Sequence, residues 1–68
     1  MERVYTLQEV ADLLKTGINY VQELRKSGLL KCIKIGHYKV TETTLQQFLA
    51  KYDGMDITDP RNPKELNA

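Results

Sequence analysis

One cysteine, two prolines and no tryptophan occur in these 68 residues, and the net charge is only +1. A lone thiol, Cys32, cannot close an internal disulfide or build a multi-cysteine zinc site, which fits a reducing, cytoplasmic setting. No apolar run approaches the roughly 20 residues of a membrane helix. No signal-peptide pattern opens the sequence, so a soluble protein that stays where it is made is expected. Catalytic constellations are missing as well. There is no nucleophile–base pair, carboxylate pair, phosphate loop or metal-ligand cluster, and His37 has no cysteine or carboxylate at ligand spacing. A chain of this length supports one domain with one small core and leaves no room for a deep substrate cavity. The expectation is a non-enzyme without cofactor, metal or small-molecule substrate.

What is present is concentrated. Between Lys15 and Lys39 stand six basic residues, Lys15, Arg25, Lys26, Lys31, Lys34 and Lys39, against one acid, Glu23. From Tyr52 onward four acids, Asp53, Asp56, Asp59 and Glu65, outnumber Arg61 and Lys64. A basic central stretch beside a mildly acidic end is the asymmetry of a modest nucleic-acid binder, although a solvated lysine face would have the same charge count.

The hydrophobic pattern organises that stretch. Thr6-Leu7-Gln8-Glu9 has the form of a capping box, and Leu7, Val10, Ala11 and Leu14 recur at helical spacing, with Leu13 widening the stripe. This predicts a first helix over 7–14, with Val4 and Tyr5 packing as a hydrophobic staple. Lys15-Thr16-Gly17 then breaks the helix, Thr16 or Gly17 capping the next one. Ile18, Val21 and Leu24 face inward on a second helix over 18–27, and Gly28 follows as a left-handed stop. Leu29 and Leu30 lead into alternating residues on either side of Gly36-His37, which reads as a tight hairpin. In that reading Ile33, Ile35, Tyr38 and Val40 close over the helices while Lys34 and Lys39 stay outside. Thr41-Glu42 opens a third helix carrying Leu45, Phe48, Leu49 and Tyr52 as one stripe, and Gly54 ends it. Residues 54–68 contain Asp-Pro and Asn-Pro without periodicity and read as a flexible tail. The fold expected is therefore α+β, a small winged helix-turn-helix over 1–53: two short helices, a two-stranded hairpin wing and a C-terminal helix.

The chain resembles the excisionase-type, MerR-like winged-helix family of phages and mobile elements. The resemblance spans residues 4–49. It is carried by Tyr5-Thr6-Leu7-Gln8-Glu9-Val10-Ala11-Asp12-Leu13-Leu14, by Val21 and Leu24, by Lys26-Ser27-Gly28-Leu29-Leu30, by Ile33-Lys34-Ile35-Gly36, and by Leu45 with Phe48-Leu49. It implies a second helix in the major groove and a hairpin on the flanking minor groove or backbone. It also implies an architectural role, bending DNA near an attachment site and helping a tyrosine or serine integrase toward excision. Two segments depart from the family pattern. The second helix begins Gly17-Ile18-Asn19-Tyr20 where the family has serine or threonine followed by arginines, and the wing offers His37, Tyr38 and Lys39 in place of arginines.

With Ile18, Val21 and Leu24 inside, Asn19, Tyr20, Gln22, Glu23 and Lys26 point outward. Asn19 and Gln22 carry amides suited to adenine, and Tyr20 could meet a phosphate or a thymine methyl. Arg25 and Lys26 suit phosphates. Lys34, His37 and Lys39 on the wing could neutralise phosphates or enter a narrow minor groove. Lys15 and Thr16 lie where helix-start amides can hold a phosphate. The partners expected are double-stranded DNA, an integrase and neighbouring copies of the chain. A small transcription regulator on the same scaffold, or a protein-interaction module, are the alternatives.

Overall fold

The structure, a computed structural model, describes residues 2–66. Strand β1 (Val4–Thr6) runs directly into helix α1 (Leu7–Leu13). The capping box forms: the Glu9 amide donates to the Thr6 hydroxyl at 3.1 Å, and the Thr6 amide donates to the Glu9 carboxylate at 2.9 Å. α1 ends at Leu14 with Lys15 in the left-handed region at φ 56°. The Thr16 amide reaches back to the Ala11 carbonyl and the Lys15 amide to that of Asp12, the pair of bonds that closes a Schellman turn. The left-handed residue is therefore a lysine, and Gly17 caps helix α2 (Ile18–Ser27) with extended backbone. Gly28, at φ 85°, stops α2.

The wing follows as β2 (Ile33–Ile35) and β3 (His37–Thr41), and helix α3 (Glu42–Lys51) starts from the Thr41 cap. Nine side chains make the core: Leu7, Val10, Ala11, Val21, Leu24, Leu30, Val40, Leu45 and Phe48. Leu24 is fully buried, which contributes about 1.5–3 kcal/mol for the one side chain. Tyr5 and Tyr52 pack on the rim, Tyr52 with its ring centroid 5.1 Å from that of Phe48. Cys32 is half-buried, and burial pushes its thiol up despite the nearby charge of Arg25.

Four features differ from the sequence expectation. Val4 and Tyr5 form a strand: β1 pairs antiparallel with β3, giving a three-stranded sheet in the order β1-β3-β2. This fixes the start of the chain to the wing, and the Arg3 carbonyl accepts the first amide of α3. The Thr43 hydroxyl and then the Thr43 amide, which donates to the Glu2 carboxylate, hold that carboxyl below the usual carboxylate range.

The wing register is the second difference. A two-residue Gly36-His37 turn would set Ile35 opposite Tyr38 and unite the apolar side chains. Gly36 instead forms the apex alone at φ 71°, so Ile35 pairs with His37, Lys34 with Tyr38, and Ile33 with Lys39. One step of register exchanges the faces. Ile33 and Ile35 thus stand on the outer face, 43% and 61% exposed, and Lys34 shares the face of Tyr38.

Third, Leu13 lies outside the α1 stripe at 55% exposure, and Leu49 of α3 is similarly open at 48%. Fourth, the segment expected as a flexible tail carries a second sheet, β4 (Met55–Asp56) paired with β5 (Lys64–Glu65). The last two residues of that segment lie outside the described residues.

Candidate nucleic-acid interface

Helix α2 is held by its inward side chains Val21 and Leu24, both with no exposed surface. Everything else on it follows from the helical repeat. Asn19 and Lys26 are exposed, and Gln22 lies between them on the outer face, half-buried. The wing stands along one side of the helix. Gln22, Lys34, His37, Tyr38 and Lys39 line a common cleft with Gly36 and the start of α1, Thr6 and Leu7. The loop before α2 holds Lys15, exposed, and Thr16, half-buried.

At the edge of the cleft, where Gln22, Lys34 and Tyr38 line it, one cluster is already ordered. The guanidinium carbon of Arg25 sits 4.1 Å from the centroid of the Tyr38 ring, a cation–π contact. The Arg25 Nε donates to the Gln22 Oε1 at 3.1 Å. The Lys34 ammonium lies 5.3 Å from the same ring. Tyr38 thus carries two cations, and its place opposite Lys34 follows from the register of the hairpin. Sequence reasoning left Tyr38 out of the candidate site. The signal was available, since Lys34 and Tyr38 are equidistant from Gly36 and pair once the turn is centred there.

The far side of α2 is different. The Tyr20 hydroxyl donates to the Ile57 carbonyl, and Glu23 meets Arg61 at 3.6 Å. Burial raises the Tyr20 pKa, with the Asp56 charge adding to it, so the phenol stays a neutral donor. Thr16 and Tyr20 line a shallow hollow with Met55, Asp56, Ile57, Thr58 and Leu66. Of the ten residues singled out from the sequence, Gln22, Arg25 and Lys34 gather with Tyr38 on the wing side, while His37 and Lys39 border the cleft but pair with Ile35 and Ile33 on the outer face of the hairpin. Asn19 and Lys26 lie on the open outer face, Lys15 precedes the helix, and Thr16 and Tyr20 belong to the tail side. Arg61 was missed. No local pattern marks a residue 38 positions from its partner.

No helix among the described residues is long and apolar enough to cross a membrane, and no group of three metal-ligating side chains forms among them. Residues 4–53, most of the chain, match the helix-turn-helix domain family, and the chain belongs to it. The match ends at Asp53, just before the second sheet. No curated protein and no solved structure matches the chain. A helix-turn-helix domain binds DNA by laying its second helix in the major groove. The protein is accordingly a sequence-specific DNA-binding protein with DNA as its partner, and α2 is the second helix of its helix-turn-helix.

Proposed function

We propose that this helix-turn-helix protein is an architectural DNA-binding factor of the excisionase type, without enzymatic activity of its own, acting in the cytoplasm. It binds beside an attachment site, bends the DNA and assists a tyrosine or serine integrase in excision. The observation that carries the reading is the shared cleft: Gln22 of the recognition helix and Lys34, His37 and Lys39 of the wing line one surface. A major-groove helix and a cationic hairpin set side by side engage the groove and the adjoining backbone together, which favours bending. Asn19 and Gln22 face base edges beside Arg25, while Lys26, Lys34, His37, Lys39 and the loop residues Lys15 and Thr16 face phosphates. Tyr20 is spent on the tail and contributes indirectly.

One module of this size buries too little DNA surface for high specificity, so several copies bind adjacent repeats. A gel-shift titration against DNA tiles from the flanks of an attachment site, at two salt concentrations, tests this. Stepwise, salt-sensitive shifts on one tile, together with stimulation of excision in an integrase assay, are expected. Specific binding confined to promoter tiles, with no effect on excision, would make the chain a transcription regulator instead.

A further inference from the structure

The hydrogen-bonding character of the cleft is set before any DNA arrives. An arginine side chain has five donors and no acceptor, so the Gln22 atom facing Arg25 Nε must be the amide oxygen. That orientation leaves the Gln22 amide nitrogen, with its two hydrogens, as the group free to reach outward. Arg25 retains both terminal nitrogens, which have no hydrogen-bond partner among the described residues, while Tyr38 holds the guanidinium plane from one face. Lys34, on the same ring, adds a third donor. The acceptor nearest along the outer surface of α2 is Glu23, and it is turned to Arg61 on the opposite side.

We propose that Gln22, Arg25 and Tyr38 form a preorganised reading unit, its outward fork the Arg25 donors, that selects guanine on the wing side of the bound site. The inference rests on the DNA-binding reading and deepens it. In the major groove guanine offers two adjacent acceptors, N7 and O6, which fit the paired terminal nitrogens of an arginine. Adenine and cytosine each present an amine donor there, which the arginine fork, having no acceptor of its own, cannot receive. Gln22 therefore does not make the two-point contact to adenine that its residue type suggests. Asn19, exposed and outside the cluster, keeps that option. Tyr38 acts as a positioning residue, since a stacked guanidinium loses less freedom on binding than a mobile one.

The test is selection of bound sites from randomised duplex DNA, followed by affinity measurements on the selected site and its single-base variants. The full-length protein and the variants Arg25→Lys, Arg25→Ala, Tyr38→Phe and Tyr38→Ala are compared. The wild type is expected to enrich guanine at one position, with about ten- to hundred-fold discrimination against other bases. Arg25→Lys keeps the charge but loses the fork, and should abolish most of that preference. Tyr38→Phe should retain it, and Tyr38→Ala should weaken it. Circular dichroism establishes that each variant is folded, and the half-exposed Arg25 makes Arg25→Lys decisive if Tyr38→Ala unfolds.

A folded Arg25→Lys with unchanged guanine preference would overturn the proposal. So would a uniform affinity loss across all bases in Arg25→Ala, which would mark a phosphate contact. Wild-type protein that selects no sequence at all would instead overturn the DNA-binding reading beneath it, so the two failures are distinguishable.

Discussion

The two sides of the recognition helix are built by opposite means. On the wing side, Arg25 donates to Gln22 one turn back on the same helix and lies over the Tyr38 ring of the hairpin that follows, and the cluster leaves its donors open. On the tail side, the Tyr20 hydroxyl donates to the Ile57 carbonyl, and Glu23, the helix's one acid, forms an exposed ion pair with Arg61 at 3.6 Å. A polyanion approaching α2 meets free cations on one flank and a satisfied, net acidic element on the other. The helix is thus polarised across its width. The two flanks also differ in what they leave open: the wing side presents cations, and the tail side pairs Tyr20 with Ile57 and Glu23 with Arg61.

The most drastic way to erase the comparison is to remove the core beneath both flanks. Leu24→Ala empties a fully buried position on α2 and should cost about 2–5 kcal/mol. In a domain this small such a loss is comparable to the total stability. Thermal melting followed by circular dichroism should show a largely unfolded chain at room temperature, and a cooperative melt near that of the wild type would contradict the packing described.

A sharper intervention leaves the fold intact and compares charge. Lys26→Ala, Lys34→Ala and Lys39→Ala should each lower the slope of log affinity against log salt by about 0.9 if each cation neutralises one phosphate. Arg61→Ala removes a cation of equal charge from the tail side. It should leave that slope unchanged and weaken binding only by exposing Glu23. Equal slopes for the Lys34 and Arg61 variants would erase the asymmetry.

How much of this was legible in the sequence follows the same division. The capping box at Thr6, the turn into α2, the Gly28 stop and the Thr41 cap are local signals, and α1, α2 and α3 stand where those signals put them. The wing was legible as a hairpin, but its register hung on whether one residue or two formed the apex. That single step moved Ile33 and Ile35 outward and joined Lys34 to Tyr38. The tail sheet was not legible at all. Strands of two residues have no periodicity to detect, and the Tyr20–Ile57 bond spans 37 positions. Binding residues on the wing side could be nominated from residue type and spacing. The diversion of Tyr20 could not, because an outward tyrosine reads the same whether it meets a phosphate or a distant carbonyl.

Tyr20→Phe isolates that diversion. It keeps the ring in its half-buried seat and deletes only the donor to Ile57, so a loss of about 0.5–1.5 kcal/mol is expected. Hydrogen exchange should then speed up in the tail sheet while the wing amides stay protected. Faster exchange in both regions would mean that the tail also braces the wing.

The gentlest probe is acid. The Asp56 carboxylate accepts hydrogen bonds from the Thr58 hydroxyl at 2.6 Å and the Thr58 amide at 2.9 Å, and these hold its pKa below the ordinary 3.8. A carboxyl depressed in the folded state adds stability that is fully present above its ordinary value and is lost as pH falls through the lowered one. Because Asp56 is fully exposed, the effect should be local, seen as a shift of the Thr58 amide resonance whose midpoint lies below the ordinary carboxylate value. Thr58→Ala should return the midpoint toward the ordinary range. None of Gln22, Arg25, Lys34 or Tyr38 is a carboxylate, so the wing cluster should pass through the same titration unchanged. A tail midpoint at the ordinary value in the wild type would mean that the Asp56–Thr58 turn does not hold in solution. The closed flank of α2 would then be less settled than the open one.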